Sequence, residues 1–232
     1  MTATLERDGF LQICTKADRA ALESARDSLF SERGPGKRCL LDNPLVKDLA
    51  LALREELVDA GHLPGPAVAI QAIAFDKTPG KNWIVSWHQD LMFPFLQPVS
   101  APGFELPCRK DGVPYARPPI EVLQEMLAVR LHLDDCNESN GPLRVSPGTH
   151  RCGILQSSEV ASSVAKHGER TCVASAGEAL LLRPLLLHRS ARAEIAQHRR
   201  ILHFVYHSGR SLAEKWHRAI GRELVQDCAR SF

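Results

Sequence analysis

The amino-acid sequence predicts an α+β protein that is mainly β, with an antiparallel sandwich or jelly roll as its body. Three observations carry that expectation. Two helical patterns occupy the first 60 residues. From Pro66 onward, short apolar or alternating runs are divided by Gly, Pro and Asn. One of those dividers, Asn140-Gly141, is a strong turn signal.

Taken in order, residues 17–31 (ADRAALESARDSLFS) have the apolar spacing of an amphipathic helix. The loop GPGKRCLLDNP follows. A second helix is expected over 44–60, where Leu45, Val46, Leu49, Ala52 and Leu53 recur at helical spacing. PAVAIQAIAF (66–75) reads as a strand, TPGKN as a turn and WIVSWHQD (83–90) as the next strand. Residues 91–118 contain six prolines and are expected to form a long irregular loop, which in a compact domain is usually functional. EMLAVRLHLDD (125–135) is a further strand, and later strands are expected at 171–174, 179–187 and 200–207. The organisation is a single domain: a helical part over 1–62, a β core over 63–210 and a helical tail over 211–232.

A chain of 232 residues with 44% hydrophobic content can bury a sizeable core without disulfides or a structural metal. The net charge of +2, without a Lys/Arg run, does not point to nucleic acid or an anionic membrane surface. No apolar run approaches the roughly 20 residues that span a bilayer. The seven cysteines form no CxxC pair, and the first residues lack the basic-then-apolar order of a signal peptide. Free thiols in a reducing cytoplasm are the expectation, with a small molecule as the partner.

Two His-x-Asp triplets stand out, His88-Gln89-Asp90 and His132-Leu133-Asp134. Side chains at i and i+2 of a strand share a face, so either triplet can close on one small object such as a metal ion. Asp134 and Asp135 enter a polar turn and have ready work there. Asp90 instead opens the long proline-rich segment, where a strand end borders a cavity, so the first triplet is favoured. His188 ends the apolar run Leu185-Leu186-Leu187 and is the candidate third ligand. Two His and one carboxylate form the facial set of non-haem Fe(II) oxygenases, although zinc takes the same ligand types. Arg199 lies eleven positions beyond His188, where an antiparallel neighbour can bring its planar fork back to bind a carboxylate. Arg200 alternates to the opposite face.

WHQD, NGPLRVSPGTH, the apolar run ending in His188, and HRRIL occur in an order that resembles the phytanoyl-CoA dioxygenase family of Fe(II)/2-oxoglutarate oxygenases. FDKTPGKNWIVSWHQD and VRLHLDDCNESNGPLRVSPGTH are especially similar to small bacterial members. The resemblance runs from about Gln71 to Tyr206. It implies a double-stranded β-helix, a cupin-like jelly roll with the N-terminal helices packed on one sheet.

By position, the resemblance makes His88, Asp90 and His188 the Fe(II) ligands. Arg199 and Ser190 then hold the far carboxylate of 2-oxoglutarate, and Gln71 aligns with a glutamine that contacts the cosubstrate in ectoine hydroxylase relatives. A Gln there can equally pair in the ladder or face water. Because Asp90 is present where halogenase relatives carry Gly or Ala, hydroxylation with O2, releasing succinate and CO2, is the expected reaction.

Candidate substrate residues are Phe93, Arg130, His132 and His150. Arg130 and His132 share one strand face, which looks either into the barrel or outward, and His150 is equally suited to a turn. Phe95 and Phe104 are further candidate apolar walls, and Arg109, Lys110 and Arg117 candidate anion contacts, against a reading of plugging and solvated residues. Two rival readings remain open: a zinc-dependent hydrolase on the same three ligands, and a non-catalytic β-barrel binding protein.

Overall fold

The computed structural model describes residues 2–30, 36–78, 80, 82–195 and 197–222. The chain begins with helix α1 (Thr2–Asp8), strand β1 (Phe10–Cys14), helix α2 (Arg19–Leu29), strand β2 (Gly36–Lys37) and helix α3 (Pro44–Asp59). Caps set both longer helices: Asp18 accepts from the Ala21 N–H, and Asn43 accepts from the Val46 N–H ahead of Pro44. These groups satisfy amides that the first helical turn leaves unpaired. Val46, Leu49, Ala50, Leu53 and Leu57 then bury one stripe of α3.

The long strand β3 (Val68–Lys77) leads to β4 (Val85–His88), β5 (Phe93–Pro94), β6 (Glu105–Lys110), β7 (Val113–Arg117) and the short helix α4 (Ile120–Gln124). There follow β8 (Met126–His132), β9 (Leu143–Val145), helix α5 (Ser157–His167), β10 (Arg170–Cys172), β11 (Glu178–Leu182), β12 (His188–Ser190) and β13 (Arg199–His207). A six-stranded sheet runs in the order β1-β11-β8-β13-β3-β2, and a four-stranded sheet runs β10-β9-β12-β4. All their pairings are antiparallel.

Alternation along the large sheet sorts its residues into two environments. Leu127, Val129, Leu131, Leu181, Leu202, Phe204 and Tyr206 pack with the buried stripes of α2 and α3. Tyr206 donates its hydroxyl to the Ala50 carbonyl at 2.8 Å, which docks β13 onto α3. Met126, Ala128, Leu180, Leu182 and Val205 point the other way and meet Leu143 and Val145 of the small sheet, so the sheets close face to face as a jelly roll. Farther along that same inner face the residues become polar, with Arg130, His132, Arg199 and His203 all buried.

Five details differ from the sequence expectations. The 91–118 segment is not irregular: β5, β7 and β6 form a third sheet, and β6 and β7 make a hairpin across Asp111-Gly112. Both turn residues have positive φ, 49° and 79°, the signature of a tight hairpin turn that Asp-Gly favours. Helix α5 has no fully buried residue and only a short half-buried stripe at Val160 and Val164, and the Gln156/Glu159 capping box starts it. The N-terminal part contains β1, which pairs with β11. The apolar run 179–187 does not form one strand, because it turns at Arg183-Pro184 and passes from the large sheet to the small one. Residues 211–222 are not helical and reach β3 and Phe95 through bridges at Ile220 and Trp216; the rest of the expected helical tail lies outside the described residues. Among the described residues, no helix is long and apolar enough to cross a membrane.

Candidate metal centre

The small sheet brings the two histidines together. His188 at the start of β12 is the direct cross-strand partner of His88 at the end of β4, and their ring centroids lie 4.1 Å apart. Asp90 sits just beyond β4, held by its own N–H donating to the Pro184 carbonyl at 2.9 Å. Between them, the Gln89 side chain points away from the histidines. It donates to the carbonyls of Gly153 and Leu185 and accepts from the Leu155 N–H, all within 2.9 Å. Gln89 thus ties the turn carrying Asp90 to the loop that delivers His188.

One ligand atom from each of His88, Asp90 and His188 lies within 4.8 Å of the others. His88 Nε2 is 3.6 Å from Asp90 Oδ1, and His188 Nε2 is 3.7 Å from Oδ2. Both imidazoles place Nδ1 2.9 Å from the carbonyl two residues earlier, Ser86 and Leu186. A carbonyl only accepts, so each Nδ1 carries the proton and each Nε2 presents a lone pair toward Asp90. That tautomer pair, with one carboxylate, fits a divalent cation.

The electrostatics agree. Burial works to raise the Asp90 carboxyl, but the neighbouring His188, His203, His88 and Arg130 together hold it at about 2. Burial pushes His188 down to about 4, against the pull of Asp90. At neutral pH the cluster therefore offers an ionised carboxylate and a neutral buried imidazole.

His203 on β13 was absent from the sequence reading. Its Nε2 lies 3.8 Å from Asp90 Oδ2, and its Nδ1 is buried without a hydrogen bond. The signal that could have found it is alternation: if Arg199 points inward, so does a residue four positions along the same strand.

Beside these residues opens a cavity of about 470 Å³. Arg199 and Ser190 line it, as do Gln71 and Arg130, and Gln71 Oε1 is buried without a partner. Arg199 is 3% exposed; one Nη donates to the Gly141 carbonyl, and Nε has no partner. Lys77, directly opposite Arg199 on β3 and only 1% exposed, was also missed. It donates to Ser190 Oγ at 3.2 Å and to the Ala191 carbonyl. Burial, with Arg199 nearby, lowers its ammonium to about 8.

Of the remaining candidates, only Lys110 lines the cavity. His132 points inward beside Arg130 and Arg199 but lies beneath the cavity wall, where burial lowers it to about 4. Phe93 is in the apolar cluster with Phe95 and Met126. His150 bonds the Glu6 carbonyl at the outer end of the fold. Lys110 lines the cavity mouth, while Arg109 bonds the Gly112 carbonyl in its own hairpin and Arg117 pairs with Glu105. Arg200 pairs with Asp134 on the opposite face.

Comparison with solved structures places EctD from S. alaskensis with bound Fe near this fold, at a TM-score of 0.67 and 20% identity, covering 95% of this chain and 79% of that one. HygX from Streptomyces hygroscopicus, with nickel and 2-oxoglutarate bound, scores 0.60 at 18% identity over 89% of this chain and 85% of its own. SnoN, a non-heme alpha-ketoglutarate-dependent epimerase from nogalamycin biosynthesis, scores 0.61 at 18% identity over 88% and 79%. No curated protein sequence matches the chain. The phytanoyl-CoA dioxygenase sequence model matches residues 5–201, most of the chain. On that match, together with the jelly roll and the His-Asp-His cluster, the chain belongs to the phytanoyl-CoA dioxygenase family of Fe(II)- and 2-oxoglutarate-dependent oxygenases.

Proposed function

We propose that this protein hydroxylates an unactivated C–H bond of a small molecule, consuming O2 and 2-oxoglutarate and releasing succinate and CO2. The observation that carries the proposal is a three-ligand metal face in a cavity that Arg199 also lines, with buried Lys77 as the cross-strand neighbour of Arg199 and neither cation paired with a carboxylate among the described residues. Iron with its cosubstrate supplies oxygen activation when bound. Everything else is the work of the chain.

His88, Asp90 and His188 hold the metal from one side and leave the cavity side open. His203, facing the Asp90 oxygen, positions that carboxylate. Arg199 and Lys77 are adjacent, buried and without a carboxylate partner among the described residues. Two such cations side by side repel each other until an anion enters. The far carboxylate of 2-oxoglutarate supplies that anion, with Ser190 already hydrogen-bonded to Lys77 and placed to share it. A zinc hydrolase would leave Arg199 and Lys77 without work.

The test is succinate formation from 2-oxoglutarate by Fe(II)-loaded protein in air, which oxygenases of this chemistry sustain slowly without a prime substrate. Succinate from the wild type, lost in Asp90→Ala, supports the reading. Equal succinate from both proteins, or none from either, sinks it. Labelled oxygen from O2 appearing in a product then separates hydroxylation from epimerisation.

A further inference from the structure

Four residues of the cavity wall carry a buried polar atom with no partner: Gln71, Arg130, Arg199 and His203. Such atoms are costly in a folded interior unless a ligand completes them. The cosubstrate accounts for Arg199. It does not account for Arg130, which belongs to a different part of the wall. Arg199 pairs across the sheet with Lys77, whereas Arg130 pairs across the other side of β13 with His203. The two pairings are four residues apart along β13, roughly 13 Å of strand, although the Arg130 guanidinium still lies close enough to be repelled by Arg199.

Arg130 is 9% exposed and makes no hydrogen bond or ion pair among the described residues. Its guanidinium carbon lies 5.8 Å from the centre of the Phe75 ring, which in turn packs edge-on against His203. The fork is thus steadied by packing while its donors stay unspent. Compensation exists for the cations at the cavity mouth: Arg38 faces Asp111 at 3.3 Å, and Lys110 lies over the Tyr115 ring. Among the described residues, Asp90 is the only carboxylate lining the cavity, and the metal claims it. The remaining lining is largely apolar, with Ile73, Val85, Leu91, Met92, Leu106 and Leu143. At about 470 Å³ the cavity is in the range that takes a drug-sized ligand, so a second small molecule fits beside the five-carbon cosubstrate.

Resting on the oxygenase reading above, we infer that the prime substrate is a carboxylic acid with an apolar body, its carboxylate held bidentately by Arg130 and its hydrocarbon portion laid against the apolar wall. A planar fork matches a carboxylate, and an apolar lining matches the rest of the molecule. Gln71, with its free carbonyl oxygen, accepts a hydrogen bond from any donor the substrate carries next to that group.

The experiment uses hexanoate and phenylacetate as probes, each against its primary amide. Binding to metal-loaded protein is read as a shift in melting temperature without cosubstrate, and as a perturbation of the visible band of the anaerobic Fe(II)/2-oxoglutarate complex. The expected result is binding of at least one acid, with its amide weaker by roughly 10- to 100-fold. Arg130→Met should abolish the acid effect, and Arg130→Lys, which keeps the charge beside Arg199, should retain part of it with the half-saturating 2-oxoglutarate concentration within about twofold of wild type. Two results overturn the inference. One is an amide that binds as well as its acid, or no binding of either acid. The other is an Arg130→Lys protein that needs tenfold more 2-oxoglutarate, which would give Arg130 to the cosubstrate. Failure of the oxygenase reading looks different: the wild type then shows no cosubstrate band, while the melting shift still reports on Arg130.

Discussion

Replacing Lys77 with methionine should make the protein without cosubstrate more stable, the reverse of what removing a buried, hydrogen-bonded side chain usually does. Burial depresses the Lys77 ammonium from 10.5 to about 8, so the folded chain carries it charged at neutral pH at a cost of about 3 kcal/mol. Methionine has a similar length and no charge. Its gain is offset by losing the bonds to Ser190 Oγ and the Ala191 carbonyl, each worth about 1 kcal/mol. A net stabilisation of about 1 kcal/mol remains, or a rise of about 2–4 °C in melting temperature for a chain of this size.

The linkage gives a second signature. Because the folded value lies below the unfolded one, the unfolded chain binds more protons between pH 8 and 10.5. Wild-type stability should therefore gain relative to Lys77→Met as pH rises through that window, by up to about 3 kcal/mol. Cosubstrate binding runs the other way. The ammonium that attracts 2-oxoglutarate is lost above pH 8, so wild-type affinity should fall there, while the variant binds more weakly by roughly 10- to 100-fold and shows no such step. Chemical denaturation at several pH values and anaerobic cosubstrate titration measure both. A variant less stable than wild type at pH 7, with unchanged affinity for 2-oxoglutarate, would mean that Lys77 is neither a strained charge nor a cosubstrate contact.

Other expectations follow from single contacts. Gln89→Leu removes three hydrogen bonds that tie the Asp90 turn to the His188 loop; it should cost about 2–3 kcal/mol in stability and weaken metal binding, measured by denaturation and metal titration. His203→Phe leaves the three ligands in place but removes the imidazole facing Asp90; metal affinity should drop by roughly 10- to 100-fold, and an unchanged affinity would deny His203 a positioning role. Leu53→Ala opens a cavity between α3 and the large sheet and should cost about 2–5 kcal/mol without altering metal affinity, which separates damage to the scaffold from damage to the site.

Much of the fold was legible because its signals are local. The stripe of α3, the alternation of β3 and β13 and the turn at Asn140-Gly141 each declare themselves within a dozen residues. Elements whose local signals are weak or masked by their surroundings were lost. Helix α5 has no fully buried residue, and the Asp111-Gly112 hairpin was hidden among prolines that read as loop.

The site divides the same way. His88, Asp90 and His188 could be grouped because an i,i+2 pair and an ordered set of motifs single them out. Lys77 could not, since its importance lies in cross-strand register with Arg199; alternation from Arg199 points His203 inward, but not to its neighbour Asp90, which only the packing of the two sheets supplies. Phe93 was drawn in by its nearness to Asp90 in sequence, and His150 by its place at the end of the Pro147-Gly148-Thr149-His150 motif. In space, Phe93 fills the apolar end of the barrel and His150 holds the N-terminal helix.

The most direct test of the central claim is an anaerobic titration of the purified protein with Fe(II) and then 2-oxoglutarate, with Asp90→Ala and Arg199→Met alongside. The wild type should develop the weak visible charge-transfer band of a bidentate oxo-acid chelate. That band should be lost in Asp90→Ala and should saturate only at much higher cosubstrate in Arg199→Met. A wild-type protein that shows no band and binds zinc tightly instead would contradict that claim.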